Sequence, residues 1–158
     1  WDSINLLDYP NVVLVRSMSK DYSYSALRLG FALASKEVVS KLRALQPDWS
    51  VNSLAQKSGI LALEDNEYLP RARKVVFSAK KYLKTALNEL GLGIINSDAN
   101  FLLIRVDNAS RWRTILLKKG VVVRDCTSFG LPNYIRVGIR VIDECKILIQ
   151  AISEVVEV

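Results

Sequence analysis

Apolar residues run along this chain in two rhythms. "NVVLVR" (Asn11–Arg16) and "RLGFALA" (Arg28–Ala34) are short unbroken aliphatic runs, which predicts strands buried on both faces of an α/β sheet. Gly30 in the second run marks close backbone packing. The serines and tyrosines between the runs predict a loop at a strand end, where open α/β sheets bind ligands. The rhythm then turns helical. Ser35 is placed to cap "KEVVSKLRAL", "QPDWS" breaks the chain, and "VNSLAQKSGILALED" resumes as a helix. From Glu67 to Leu90, apolar residues at 69, 72, 76, 79, 83, 86, 87 and 90 fall in steps that keep one face of a long helix. Pro70 stands near its start and Gly91 at its end, the positions where each is favoured.

The remainder alternates. A strand "FLLIRV" (Phe101–Val106) precedes a helix over 110–119, then come "VVVRD", a loop "CTSFGLPN", a strand "YIRVGIR" and a closing helix from Asp143. This order predicts a small α/β sandwich with helices on one face of the sheet. The two early strands lack the partners that a buried sheet requires, so they read as the end of a larger domain. Exposed apolar surface is expected around residues 1–35.

Half of the residues are hydrophobic and 24% are charged, a balance that supplies a core and argues against disorder. No apolar stretch reaches the roughly 20 residues of a membrane-spanning helix. Trp1-Asp2 opens without methionine, a basic segment or an apolar run, which suggests a fragment or processed chain and no signal peptide. The default expectation is a soluble cytoplasmic protein. Net charge is +6, from 22 basic and 16 acidic residues, enough to attract phosphate or nucleic acid. The charges are dispersed, however, with only the pairs 80–81 and 118–119, and no nucleic-acid-binding signature accompanies them. There is no histidine, which removes Ser-His-Asp and Cys-His chemistry and histidine metal ligands. No metal site is predicted. Cys126 and Cys145 stand apart and read as reduced, largely buried thiols.

Chemistry must then come from lysine, arginine, hydroxyls, carboxylates or a borrowed cofactor. Ser17, Ser19 and Arg28 offer two hydroxyls and a guanidinium fork, a suitable cradle for a phosphate dianion. Lys20 lies within it, and a lysine near positive charge, or desolvated, serves as a neutral nucleophile. A phosphate anchor beside a nucleophilic amine is what a pyridoxal phosphate site requires. On spacing alone, Lys20 and Arg28 read equally as a solvated pair flanking a loop.

"SMSKDYSYSALRLGF" (Ser17–Phe31) resembles the Schiff-base signature of the fold-type-I pyridoxal phosphate enzymes, the class I/II aminotransferases: S-x-[ST]-K, five residues, then G-[LI]-R-x-G. Ala26 replaces the usual glycine. "QPDWSVNSLAQ", "SDANFLLIRV" and "GVVVRDCTSFGLPNYIRVGIR" are similar, in the same order, to segments of the subgroup holding histidinol-phosphate aminotransferases and the threonine-phosphate decarboxylases of cobalamin biosynthesis. The resemblance implies that Lys20 is catalytic, carrying the cofactor as a Schiff base and shuttling the substrate α-proton. It implies that Ser17, Ser19 and Arg28 hold the cofactor phosphate and that Arg136 grips the substrate α-carboxylate. Arg124 is a candidate for a distal substrate phosphate, against a plain salt bridge with Asp125 or Asp143. Asn100 reads as a turn residue ahead of its strand, or as one that orients the substrate loop.

The fold so implied is α/β. Residues 1–61 belong to the end of a large cofactor domain, and residues 62–158 to a small C-terminal domain with a short, mostly antiparallel sheet; the helix from Glu67 bridges the two. The partner class is a small amino acid or amino phosphate, not nucleic acid or membrane, and the full-length protein is expected to be a homodimer. Transamination leads, since aminotransferases are the broader group. "RDCTSFGLP" and Arg140 lean toward decarboxylation, the alternative in amino acid or cobalamin biosynthesis. Family members keep an aspartate for the pyridine nitrogen, a ring-stacking aromatic and a glycine-led helix start upstream of such a region. None can be assigned here, so the chain alone is expected to be inactive. Two rivals of other classes are a phosphate- or polyanion-binding module and an inactive structural fragment.

Overall fold

The computed structural model of the protein describes residues 3–156. They form two compact units, one ending at Pro70 and the other beginning at Arg71. Among the described residues, no helix is long and apolar enough to cross a membrane.

The first unit opens with a 3-10 turn, Ile4–Asp8, and continues through β1 (Val13–Ser17), α1 (Met18–Asp21), β2 (Gly30–Ala34), α2 (Lys36–Ala44) and α3 (Ser53–Glu64). β1 and β2 are antiparallel, with Val13 opposite Ala34 and Ser17 opposite Gly30. Close packing at Gly30 is evident: a Cβ there would stand 2.6 Å from the Arg16 carbonyl oxygen. The expectation of two-sided burial is corrected by the ribbon. No position of either strand is fully buried, β1 alternates between exposed and half-buried, and Val15 is 78% exposed, because nothing among the described residues covers that face. The segment expected as a loop winds into the single turn α1. Ser17 caps it by accepting a hydrogen bond from the Ser19 amide, as short hydroxyl side chains do at helix starts.

The helix caps follow the sequence. Ser35 accepts from the Val38 N–H at 3.5 Å and Asn52 from the Ala55 N–H at 2.9 Å. Between the two helices the backbone turns sharply, with Trp49 at φ +62° and almost wholly exposed. α3 packs on the segment around α1: a Cβ on Gly59 would meet Leu29 Cδ2 at 2.5 Å, with Met18 Sδ next to it. Met18, Ala55 and Ala62 are buried, so α3 braces the turn that carries Lys20.

α4 (Tyr68–Glu89) runs on into the second unit, followed by β3 (Ile94–Ile95), β4 (Phe101–Arg105), α5 (Ala109–Lys118), β5 (Arg124–Asp125), β6 (Tyr134–Gly138) and α6 (Ile142–Val156). The sheet order is β3-β4-β6-β5 and every pairing is antiparallel. α4 ends as the spacing predicts, with Gly91 at φ +71° and the Leu92 N–H returning to the Leu87 carbonyl. Leu83 and Leu87 of α4, Leu102 and Ile104 of β4, Ile135 of β6, Leu116 of α5 and Ile152 of α6 are fully buried in one core. Each contributes about 1.5–3 kcal/mol relative to exposure.

Two differences have local causes. "VVVRD" contracts to Arg124–Asp125, because the Val121 N–H turns back to the Leu116 carbonyl at the end of α5 instead of joining the ladder. β3, absent from the sequence reading, has two residues, too few for any periodicity to register.

Candidate active site

In the first unit, β1 delivers Ser17 to the sheet end and α1 turns Ser19 back onto it. Their hydroxyl oxygens lie 2.7 Å apart, and the Ser19 amide donates to Ser17 Oγ at 3.3 Å. Lys20 follows on the same turn and is exposed. The segment bearing Arg28 is tied alongside, since the Met18 N–H donates to the Leu29 carbonyl at 3.0 Å. Arg28 itself is in the left-handed region at φ +53°. Its Nη1 donates to the Ser25 carbonyl at 3.0 Å, not to either serine. Thus the two hydroxyls are in contact, Lys20 is their chain neighbour, and Arg28 stands on the adjoining turn with its fork folded onto its own loop. Two hydroxyls on one exposed turn, with a guanidinium on the turn beside it that is free to swing off its own loop carbonyl, have the chemistry to hold a phosphate monoester. An exposed primary amine beside them fits an aldehyde. A cavity of about 650 Å³ over residues 46–53 of the same unit, lined by Arg43, Trp49 and Gln56, includes none of these groups.

In the second unit, Arg124 and Arg136 are direct cross-strand partners in the β5–β6 ladder. Ile135 and Val137 point into the core, so the alternation of β6 puts Arg136 on the opposite, outer face. The Arg136 guanidinium lies over the Phe101 ring at 5.1 Å from its centroid, and that of Arg124 over Phe129 at 5.0 Å. Arg124 Nη2 also donates to Ser128 Oγ at 2.8 Å.

Neither arginine is in an ion pair with a described residue. The carboxylates that might have served are engaged elsewhere. Asp143 binds Lys146 at 3.0 Å. Asp125 accepts from Ser110 Oγ at 2.5 Å and from the Thr127 hydroxyl and amide at 2.6 and 2.8 Å. These hydrogen bonds, that of Ser110 foremost, hold its carboxyl down to about 2. Arg140 is spent on Glu144, with Nε 2.7 Å from Oε2.

The Asn100 carbonyl accepts the Ile139 N–H at 2.9 Å, which carries the β4–β6 pairing one step beyond Phe101 and Gly138. Lys80, which the sequence reading passed over, donates to the Ser97 and Ala99 carbonyls and pins that loop ahead of β4. Phe101, Ser128 and Phe129 were missed too. The one available signal was that Phe101 shares the outward alternation of Leu103 and Arg105. Both cysteines are free and buried. Burial pushes the Cys126 thiol up, against the pull of Arg136 and Arg124, and likewise raises Cys145, which makes both poor nucleophiles.

Comparison with known proteins adds the family. The model described as "Aminotransferase class I and II" matches residues 3–152. The histidinol-phosphate aminotransferase of Symbiobacterium thermophilum is 39% identical over 147 residues, which is 92% of this chain and 41% of that protein. Among solved structures, a decarboxylase from Sulfurospirillum multivorans is 27% identical with a TM-score of 0.86, over 99% of this chain and 47% of that one. The histidinol-phosphate aminotransferase of Clostridium acetobutylicum shares the fold, with a TM-score of 0.90 at 24% identity, over 99% of this chain and 49% of that one. The chain therefore spans somewhat under half the length of these relatives. With the family model matching nearly end to end, the chain belongs to the class I and II aminotransferases, a pyridoxal phosphate-dependent family.

Proposed function

We propose that this chain is the C-terminal portion of a pyridoxal phosphate-dependent aminotransferase acting on an amino acid or phosphorylated amino compound, in the manner of the histidinol-phosphate aminotransferases. The observation that carries the substrate class is the facing pair Arg124 and Arg136, two guanidiniums on one sheet face with no carboxylate on either. Like charges set directly opposite in a ladder are unfavourable, and anionic groups of a substrate relieve that repulsion. The Arg136 fork matches a carboxylate with two parallel hydrogen bonds, as an amino acid presents, and Arg124 matches the phosphate of a phosphorylated amino compound.

The cofactor, when bound, supplies an electron-withdrawing ring conjugated to the substrate amine. Ser17 and Ser19 would donate their hydroxyls, and Arg28 its fork, to the cofactor phosphate. Lys20 would hold the cofactor through its aldehyde, and its Nζ, as a free amine, would take the substrate α-proton and return it. Residues 1–61 are assigned to the cofactor domain and 62–158 to the small domain. The working enzyme is a cytoplasmic homodimer, and the 158 residues alone are expected not to turn over, since the family resemblance expects the partners of the cofactor ring upstream of such a region.

Labelling tests the reading. The chain is mixed with pyridoxal phosphate, reduced with borohydride and mapped by mass spectrometry. The phosphopyridoxyl mass is expected on Lys20 and absent from Lys20→Arg; labelling scattered over surface lysines refutes the cradle. A second reading, decarboxylation of an amino acid phosphate such as threonine phosphate, is favoured by the 27% identity to a decarboxylase over 99% of the chain. Holoenzyme given histidinol phosphate with 2-oxoglutarate, or O-phospho-L-threonine alone, separates the two by the appearance of glutamate or of carbon dioxide.

A further inference from the structure

Each arginine of the facing pair rests on an aromatic ring, and each ring comes from a different element. Phe101 opens β4 and is half-buried; Phe129 ends the 3-10 turn Thr127–Phe129 and is 57% exposed. The centroid distances of 5.1 and 5.0 Å are inside the range of about 6 Å in which a ring quadrupole attracts a cation. A carboxylate could have held either guanidinium, but it would also have neutralised it. A ring fixes the plane of the fork while leaving its charge and its N–H edges for an incoming anion.

We infer that Phe101 and Phe129 are positioning residues, which pre-orient Arg136 and Arg124 for two separate anionic groups of one substrate. The inference rests on the reading that these arginines bind substrate. The supports of the rings fit this role. Phe101 follows a loop held by Lys80 through the carbonyls of Ser97 and Ala99. Phe129 lies one residue from Ser128, whose hydroxyl is the second partner of Arg124. Arg124 is thus aligned from two sides. Its repulsion from Arg136 is tolerated because each cation has an attractive surface that is not a counter-charge.

The test is calorimetric binding of two probes to the holoenzyme that contains this chain: O-phospho-L-threonine, with a carboxylate and a phosphate, and L-threonine, with the carboxylate alone. Phe101→Leu is expected to weaken both probes by about threefold to tenfold, and Phe101→Tyr, which keeps the ring, to restore wild-type affinity within about twofold. Phe129→Leu, at an exposed site with little folding burden, is expected to weaken only the phosphorylated probe. In an Arg136→Ala background, Phe101→Leu should cost nothing further, since the ring acts through that arginine.

Undiminished affinity in Phe101→Leu and Phe129→Leu overturns the inference. So does a loss in Phe101→Leu that persists at full size without Arg136, which would make the ring merely structural. The underlying reading fails in a different way, through Arg136→Ala binding both probes as tightly as wild type.

Discussion

Replacing Gly30 by alanine adds one methyl where the β2 backbone faces the Arg16 carbonyl of β1. The new carbon would stand 2.6 Å from the Arg16 carbonyl oxygen, where ordinary contact begins near 3.4 Å. The obstacle is backbone, so no side chain can swing aside; the ladder itself has to part. Overpacking of this kind costs about 1–3 kcal/mol. Against it stands a gain of about 0.4–1 kcal/mol, because alanine restricts the unfolded chain more than glycine does. The clash outweighs the gain, and Gly30→Ala should destabilise the first unit by about 1–2 kcal/mol.

Gly138, the last residue of β6, is the internal control. Nothing lies within 4 Å of its would-be Cβ and its φ is not positive, so Gly138→Ala should be neutral or stabilising by up to about 1 kcal/mol. Urea unfolding reads the magnitudes, and native-state hydrogen exchange assigns them to a unit. The Met18 amide, bonded to Leu29, should exchange faster in Gly30→Ala and at the wild-type rate in Gly138→Ala. Gly30→Ala proving as stable as wild type, or Gly138→Ala losing as much as Gly30→Ala, would refute the reasoning. Because Gly30 is the register partner of Ser17, cofactor retention should fall in Gly30→Ala as well.

Leu83→Ala, at a fully buried position, should cost about 2–5 kcal/mol in denaturant; a loss comparable to a surface substitution would mean that the helix face is not packed as described. The Asp125 carboxyl, held at about 2, lies below the ordinary aspartate value of about 3.9. The unfolded chain therefore binds more protons between these values, and its contribution to stability is fully present above about pH 4 and lost as pH falls toward 2. Carbon-detected titration by NMR should find this low value, and Ser110→Ala should raise it; an ordinary midpoint in wild type contradicts the hydrogen-bond assignment. At Arg28, φ +53° strains any residue but glycine, so Arg28→Gly should be more stable than Arg28→Ala by about 1 kcal/mol. Both should bind pyridoxal phosphate more weakly than wild type, and equal stability of the two would show that the turn relaxes without cost.

The helices were legible because their signals are local. Ser35 and Asn52 cap where short polar residues precede an apolar period, and the α4 face repeats long enough to reveal itself without its partners. Apart from the two-residue β3, the strands were legible as existing but not as paired. β5 lost Val121 to the end of α5, a competition between backbone partners that no propensity records. In the site, the resemblance nominated Arg124 and Arg136 one at a time. Their meeting depends on β5–β6 register, which is set across a 3-10 turn of non-repeating sequence. Asp125 looked available to Arg124 because it is adjacent in sequence. In a strand, adjacency is what separates side chains, since successive residues face opposite sides of the sheet, and Asp125 turns to Ser110 and Thr127 instead.

The three arginines proposed for function share one physical trait: each is held in a way that a search for stability alone would disfavour. Arg28 occupies a left-handed backbone position with an exposed side chain. Arg124 and Arg136 are set opposite each other, although cross-strand like charges repel. The five ion pairs among the described residues use other cations: Lys41, Arg111, Lys119, Arg140 and Lys146. A chain selected only to fold would set a carboxylate opposite Arg124 in the ladder and place glycine at position 28. Local strain and unneutralised charge of this kind persist where a bound group makes up the difference. In the proposed site the compensating group for Arg28 is a phosphate on the turn after β1, and for the facing pair it is the anionic part of a substrate on the outer face of the second unit's sheet.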